Sequence, residues 1–244
     1  EIARRMATPR VNDWLLLKRL GRYLLGTPRV LFQYYWQHTP TYIDVFVDSD
    51  WAGCKGSCRS TAGGAIKLGY HTIKTWSTTQ AVIALSSGEA ELYALTRGAT
   101  NAIGMVSLMA DFGIDVHLKI HTDSSAAIGI VSRQGVGKLR HVRVQYLWIQ
   151  SRVQDGELSI HKVAGKENPA DLLTKNVTTA EADKYLEALC IERSTDRAAI
   201  APTLSCCNHH NDDHHDQWQV GDREAVRRHE KSRKELFTPL RVAG

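Results

Sequence analysis

An apolar segment that ends in carboxylates is the strongest constraint on how this chain can fold. Residues 43–53 read Ile-Asp-Val-Phe-Val-Asp-Ser-Asp-Trp-Ala-Gly. The alternating β-branched side chains predict a strand, and apolar residues on both faces favour a central place in a sheet. An aspartate at the end of a buried strand is unfavourable unless a metal ion, an arginine or several donors compensate its charge. Asp48 is therefore either a candidate ligand or a residue that caps a turn.

The segments that follow predict a mixed α/β domain. Two further strands at residues 65–68 and 72–77, joined by short glycine-containing turns, complete an antiparallel meander. Ser86 and Glu89 form a capping-box pattern that opens a helix to about residue 111. The remaining predicted elements are a strand (116–122), helices (126–132 and 140–154), a fifth strand (158–163) and a helix from Asn168 onward. This order predicts one five-stranded sheet with helices packed on it.

The two ends of the chain have a different character. Residues 1–26 predict a helix that stops near Gly26, and residues 27–41 read as a connector. Residues 180–190 predict a short helix. From residue 194 the periodicity is lost and histidines and basic residues accumulate, which predicts a disordered tail.

Composition and charge narrow the class of protein. No segment has the roughly 18 uninterrupted apolar residues of a membrane span, and the first residues lack a signal-peptide pattern. Five cysteines at irregular spacing favour a reduced, intracellular setting, in a cytoplasmic particle or the nucleus rather than outside the cell. Residues 1–40 hold seven Lys or Arg against two Asp or Glu, which fits a polyanionic partner or a solvated helix face. The absence of an initiator methionine suggests a piece of a longer protein.

Three further acidic residues repeat the chemistry of Asp48. Asp123 closes the fourth strand, and if that strand runs parallel to the first, both aspartates lie at the same sheet edge. Glu89 and Glu91 point about 200° apart on a helix, so only one can face the sheet. Because Glu89 already has the capping role, Glu91 is the inward candidate. Asp171 lies in the first turn of the last helix, where the helix dipole favours a carboxylate.

A cluster of four carboxylates needs compensating positive charge. Oxygen ligands suit Mg²⁺ or Mn²⁺, whereas zinc prefers Cys and His. Two such ions can activate a water and neutralise a leaving alkoxide, which is the chemistry of phosphodiester hydrolysis. Each carboxylate taken alone is equally explained as a helix cap or an exposed strand end.

Six separated motifs resemble the ribonuclease H domain of copia-type retrotransposon Pol polyproteins, over about residues 40–177. The motifs are Asp48-Ser-Asp-Trp-Ala-Gly53, Arg59-Ser-Thr-Ala-Gly63, Ala84-Leu-Ser-Ser-Gly-Glu-Ala-Glu91-Leu-Tyr-Ala-Leu95, Thr122-Asp123-Ser-Ser-Ala-Ala127, Arg140-His141-Val-Arg143 and Ala170-Asp171-Leu-Leu-Thr-Lys175. Residues 1–40 resemble the end of the reverse transcriptase thumb and connection region, followed by a linker. This organisation implies a ribonuclease H-like domain at residues 41–177, a helical extension at 178–193 and an unrelated tail at 194–244.

The resemblance implies the fold and the activity. The fold is an α/β ribonuclease H-like one: a five-stranded mixed sheet, the first three strands antiparallel, with helices on both faces. The activity is metal-dependent endonuclease cleavage of the RNA strand of RNA–DNA hybrids during reverse transcription. Asp48, Glu91, Asp123 and Asp171 would bind two Mg²⁺ ions, which Mn²⁺ could replace. Asp48 would bridge both ions, Glu91 and Asp123 would hold the one beside the leaving group, and Asp171 the one that carries the attacking water.

The partners implied are an RNA–DNA hybrid and an upstream reverse transcriptase domain. Contacts to the hybrid should go mainly to phosphates and 2′-hydroxyls. The candidate substrate-binding residues are Arg59, Ser60, Thr61, Lys138, Arg140, His141 and Arg143, and each is also explicable as an ordinary surface or structural residue. The loop at residues 164–168 lacks the histidine that cellular ribonucleases H use to assist product release, which affects turnover. His161 lies within a predicted strand and is expected to be structural.

Two other functions compete with this hypothesis. A retrotransposon relic would fold and bind nucleic acid without cutting it, and the foreign tail favours that alternative. A DNA strand-transfer enzyme would use three carboxylates in the order Asp, Asp, Glu, so a glutamate in second place and a fourth aspartate argue against it. The cysteines and tail histidines have no spacing typical of a compact zinc module.

Overall fold

A computed structural model of the chain describes residues 6–135, 137, 141–142 and 144–196. The strands are β1 (Arg29–Phe32), β2 (Tyr42–Cys54), β3 (Arg59–Leu68), β4 (His71–Thr79), β5 (His117–Thr122), β6 (Leu158–Lys162) and β7 (Ile191–Ser194). The α-helices are α1 (Val11–Gly26), α2 (Ser87–Asp111), α3 (Ser125–Val131), α4 (Trp148–Gln154) and α5 (Thr179–Ala188). Short 3₁₀ helices span Val144–Tyr146, Gly165–Glu167 and Pro169–Leu173. Residues 32–192 form one compact unit, and the described residues 6–31 and 193–196 belong to a second.

The main sheet has five strands in the order β4-β3-β2-β5-β6. Strand β2 pairs antiparallel with β3, and β3 pairs antiparallel with β4. Strand β5 runs parallel to β2 and β6 runs parallel to β5. The predicted fold class is confirmed by this strand order, including the central position of β2.

The main core lies between the sheet and α2. Ile43, Val45 and Val47, alternate residues of β2, are fully buried beneath this helix. Gly98 of α2 makes the close approach possible, because a Cβ there would lie 2.6 Å from Cγ1 of Val47. The apolar alternation of β2 and the small residues of α2 thus bring the helix down onto the strand that carries Asp48.

Residues near the C-terminal end of the same unit cover part of the opposite sheet face. Ala65 of β3 packs with Leu189 and Ile191 in a second, smaller apolar cluster. The Thr72 hydroxyl donates to the Leu189 carbonyl over 2.6 Å, and the Lys67 ammonium donates to the Ala188 carbonyl over 2.5 Å. These contacts attach the C-terminal end of α5 to strands β3 and β4, so helices lie on both faces of the sheet.

Several local predictions differ from the structure. Strands β1 and β7 form a separate two-stranded sheet that was not predicted, since four residues carry too little periodicity to reveal a partner about 160 positions away. The helix predicted to begin at residue 140 begins as α4 at Trp148, after a 3₁₀ turn. The predicted disordered tail lies almost entirely outside the described residues.

The helix predicted at the N-terminus is present as α1, and none of its residues is buried. Trp14 is 56% exposed. Among the described residues, no helix combines the length and the apolar character needed to cross a membrane.

Candidate metal centre

Three carboxylates meet beyond the parallel part of the sheet. The last parallel pair of β2 and β5 is Phe46 with His121, and Asp48 and Asp123 each lie two residues further along their own segment. Oxygens of Asp48, Glu91 and Asp123 all lie within 4.8 Å of one another. The predicted convergence of these three residues is therefore present in the structure.

Glu91 is held in place from the second turn of α2. Its Oε1 accepts a hydrogen bond from the Ser49 backbone N–H over 3.1 Å, and its Oε2 is buried with no partner among the described residues. Burial first, and then the charges of Asp48 and Asp123, raise the pKa of Glu91 to about 8. Without a cation, the centre therefore favours a protonated Glu91 at neutral pH.

The fourth predicted ligand, Asp171, meets the cluster through a lysine. Lys175 donates to Oδ1 of Asp171 over 2.7 Å and to Oδ1 of Asp48 over 3.1 Å. The Thr174 hydroxyl donates to Oδ2 of Asp48. Asp171 does not belong to the group of three whose oxygens lie within 4.8 Å of one another. The structure thus brings Asp171 to the same site and places an ammonium group between it and Asp48.

The segment that carries Asp171 is attached directly to β2. Asn168, which is fully buried, donates to the Val47 carbonyl over 2.9 Å and accepts from the Ala170 backbone N–H over 3.2 Å. Gly63 lies opposite Asp48 in the register of β3, and a Cβ at this position would come within 2.6 Å of Cγ2 of Thr174. A strand glycine and a buried cap therefore allow the 3₁₀ helix to reach the carboxylates.

Glu89 differs from the prediction in one respect. Its backbone N–H donates to the Ser86 hydroxyl as a cap requires, but its side chain accepts from the Leu85 backbone N–H rather than from Ser86. It also accepts from Tyr93 and pairs with Nε2 of His141 at 2.9 Å. These hydrogen bonds outweigh the effect of burial and lower the pKa of Glu89. Glu89 and Glu91 do point to different sides of the helix, yet both are buried.

The predicted substrate-binding residues differ in how exposed they are to solvent. Arg59 is exposed and Thr61 is half-buried. Ser60 is fully buried and its hydroxyl accepts from the Ala52 backbone N–H over 3.1 Å, so it shapes the β2–β3 turn from within. His141 is partly exposed and holds Glu89. Lys138, Arg140 and Arg143 lie outside the described residues.

The other histidine considered in the sequence has structural contacts. His161 of β6 lies 2.9 Å from the Ser159 hydroxyl, and its ring centroid is 5.5 Å from that of His121. In the loop that follows β6, Gly165 lies against Asp123, since a Cβ there would be 3.0 Å from Oδ2 of Asp123. The short loop side chain therefore leaves room for the aspartate.

Three residues of the site were missed as functional candidates: Asn168, Thr174 and Lys175. The sequence did contain a signal for Lys175, because it lies four positions after Asp171, the spacing at which opposite charges meet on a helix. No comparable pattern links Asn168 or Thr174 to β2, which precedes them by more than 120 positions.

Much of the chain is similar in sequence to known proteins. The retrovirus-related Pol polyprotein from transposon TNT 1-94 of Nicotiana tabacum is 29% identical over 180 residues, which is 72% of this chain and 13% of that protein. The retrovirus-related Pol polyprotein from transposon RE2 of Arabidopsis thaliana is 30% identical over 174 residues, which is 70% of this chain and 12% of that protein. The chain thus matches only a small part of these relatives' length. No family model matches the chain.

Solved structures also show some likeness. LC11-RNase H1, isolated from compost by a metagenomic approach, has a TM-score of 0.39 and 18% identity, with 60% of this chain and 99% of that chain covered. The fold class of this chain follows from its own strand order and register.

Proposed function

We propose that this chain, a homologue of the retrovirus-related Pol polyproteins of plant transposons, is a metal-dependent endonuclease of the ribonuclease H type. Its reaction is hydrolysis of the RNA strand of RNA–DNA hybrids. The observation that carries the proposal is the approach of Asp48 on β2, Glu91 on α2 and Asp123 directly after β5 to within 4.8 Å of one another. So close a group of carboxylates is unfavourable in its fully ionised form unless a cation is shared among them.

The donor set fits a hard divalent ion. All three side chains offer oxygen, which suits Mg²⁺ or Mn²⁺ better than zinc. An ion held by Asp48, Glu91 and Asp123 would activate a water and stabilise the leaving oxygen. The protein holds these ligands on β2, on α2 and directly after β5, and Glu91, whose pKa is about 8, would lose its proton when a cation binds. Cation affinity should therefore rise with pH up to about this value.

An RNA–DNA hybrid as substrate is supported by an exposed arginine and by the Pol polyprotein relatives. Arg59 is exposed on β3 and available for a phosphate contact, whereas Ser60 contributes through the shape of its turn. In a Pol polyprotein the hybrid would be delivered by an upstream reverse transcriptase, and we include that domain as a partner. The setting that fits this reaction is intracellular, in a cytoplasmic particle or in the nucleus. In the two-ion arrangement implied by the resemblance, Asp48 and Asp171 would hold the second ion. In this structure Lys175 bonds to both of these carboxylates.

The test is cleavage of a labelled RNA–DNA hybrid in the presence of Mg²⁺. Wild-type protein should cut the RNA strand, and both a chelator and Asp48→Asn should abolish cutting. Asp44→Asn is the matched control, because Asp44 is on the same strand but pairs with His121 away from the centre. The control should still cut.

Two results would redirect the proposal. Hybrid binding without cleavage by folded wild-type protein would favour the inactive relic. Cleavage that survives both the chelator and Asp48→Asn would contradict the assigned centre.

A further inference from the structure

Lys175 bridges two of the proposed metal ligands. Among the lysines in the described part of the chain, it is the one that does so. Its ammonium group donates to one oxygen of Asp48 and one oxygen of Asp171. Its backbone N–H donates to the Asp171 carbonyl over 2.9 Å, so the turn that places the aspartate also places the lysine. Asn168 anchors this turn on β2 through the Val47 carbonyl. These backbone and side-chain contacts therefore fix the position of Lys175 between the two aspartates.

Lys175 also offsets part of the negative charge of the centre. Its positive charge acts on Asp50, Glu91 and Asp171, and in each case the opposing charges come from other carboxylates. Burial disfavours the charged ammonium, but the hydrogen bonds and the attraction of Asp171 and Asp48 outweigh it and raise the pKa of Lys175. The side chain therefore remains charged throughout the neutral range.

The bridge divides the carboxylates into two groups. Asp48, Glu91 and Asp123 form the group whose oxygens lie within 4.8 Å of one another. Asp171 is separate from this group, and its Oδ1 accepts from Lys175. Both oxygens of Asp48 are engaged on that side, one by Lys175 and the other by Thr174. A cation that used Asp48 and Asp171 together would have to displace the ammonium group.

We propose that Lys175 takes the place of a second cation, so that this centre binds one divalent ion, at Asp48, Glu91 and Asp123. The inference rests on the proposed metal centre and concerns how many ions it holds. Lys175 is a positioning residue: it keeps Asp48 and Asp171 close together by supplying the positive charge between them. Asp171 then acts as the partner of the lysine rather than as an ion ligand.

The experiment counts the Mn²⁺ ions bound per chain of residues 1–244, from the electron paramagnetic resonance signal of the Mn²⁺ that stays free. Ions that Asp48→Asn still binds are subtracted, because they lie elsewhere on the chain. Wild-type protein should bind one ion at the centre and Lys175→Met should bind two. Lys175→Arg, which keeps the charge, should bind one. Lys74→Met is the matched control, since Lys74 bonds to Asn101 outside the centre, and it should also bind one.

A melting experiment separates charge replacement from a purely structural role. Without metal, Lys175→Met should melt below the wild type, because Asp48 and Asp171 lose the charge between them. Mn²⁺ should raise the melting temperature of this variant more than that of the wild type. A residue that only packs would lower the melting temperature equally with and without Mn²⁺, and that result would overturn the inference.

The ion count by itself can also overturn it. Two ions in the wild type, or one ion in folded Lys175→Met, would show that Lys175 does not exclude a second ion, and the proposed endonuclease would be unaffected. No bound ion at all would remove the metal centre and the inference together. Because the count does not depend on cleavage, failure of the hybrid assay is distinguishable from failure of this inference.

Discussion

Replacing Glu91 by glutamine should remove a specific pH dependence from the stability of the metal-free protein. Burial beside Asp48 and Asp123 raises the pKa of Glu91 from 4.5 to about 8. Between these two values the folded state binds one proton more than the unfolded state. Stability therefore falls as pH rises, by up to roughly 1.4 kcal/mol per pH unit. Glutamine has nearly the same shape and stays neutral.

The magnitude follows from the difference between the two pKa values. At roughly 1.4 kcal/mol per unit, full ionisation of Glu91 costs on the order of 5 kcal/mol, and relaxation of the site lowers this toward about 3 kcal/mol. The free energy of unfolding of Glu91→Gln minus that of the wild type should grow by about 3–5 kcal/mol between about pH 5 and pH 9. Comparing the two proteins cancels the other groups that titrate over the same range.

Urea unfolding in a chelator, repeated across this pH range, measures the difference. Glu187→Gln is the matched control, because Glu187 is an exposed glutamate on α5, and it reports the effect of losing a solvated carboxylate. Adding Mg²⁺ should flatten the wild-type slope, since the bound ion favours ionised Glu91. Parallel wild-type and Glu91→Gln curves from acid to alkaline pH would refute the reasoning.

Four further substitutions test how the site is built. Gly98→Ala should destabilise the protein by about 1–3 kcal/mol, because its Cβ would lie 2.6 Å from Val47, whereas Gly104→Ala in the same helix has open space and should stabilise by roughly 0.5–1 kcal/mol; thermal melts compare them. Asn168→Ala should cost about 2–3 kcal/mol by leaving a buried carbonyl unpaired, and a cost near zero in urea unfolding would contradict that role. Glu89→Gln should be destabilising near neutral pH, and because the pKa of Glu89 is lowered, its loss of stability relative to the wild type should shrink as pH falls below about 4.5.

Elements with strong local periodicity were predictable from the sequence. The alternation in β2 predicts a strand and the long Ala- and Leu-rich pattern of α2 predicts a helix, each from residues close together in the sequence. Both elements are present. The central place of β2 followed from apolar residues on both faces. Weak local signals were not sufficient: β1 and β7 owe their existence to pairing with each other.

Part of the candidate site was likewise predictable from the sequence, and part was not. That Asp48, Glu91 and Asp123 would share one edge was inferred from strand ends and helix spacing, and the parallel pairing of β2 with β5 brings them together. The sequence also placed Asp171 after a cap at the start of a helical turn. It did not indicate what would stand between Asp171 and Asp48.

The amino-acid sequence by itself therefore determined the class of fold, the order of the five main strands and the long helix α2, and the identity of the acidic residues, because these depend on patterns between near neighbours. Tertiary structure alone decided the environment of each carboxylate. Burial of Glu91 and the bridge formed by Lys175 both require β2 to meet segments that lie 42 to 127 positions away. The charge and proton content of a carboxylate depend on the distance to such groups, and that distance exists only once the chain has packed.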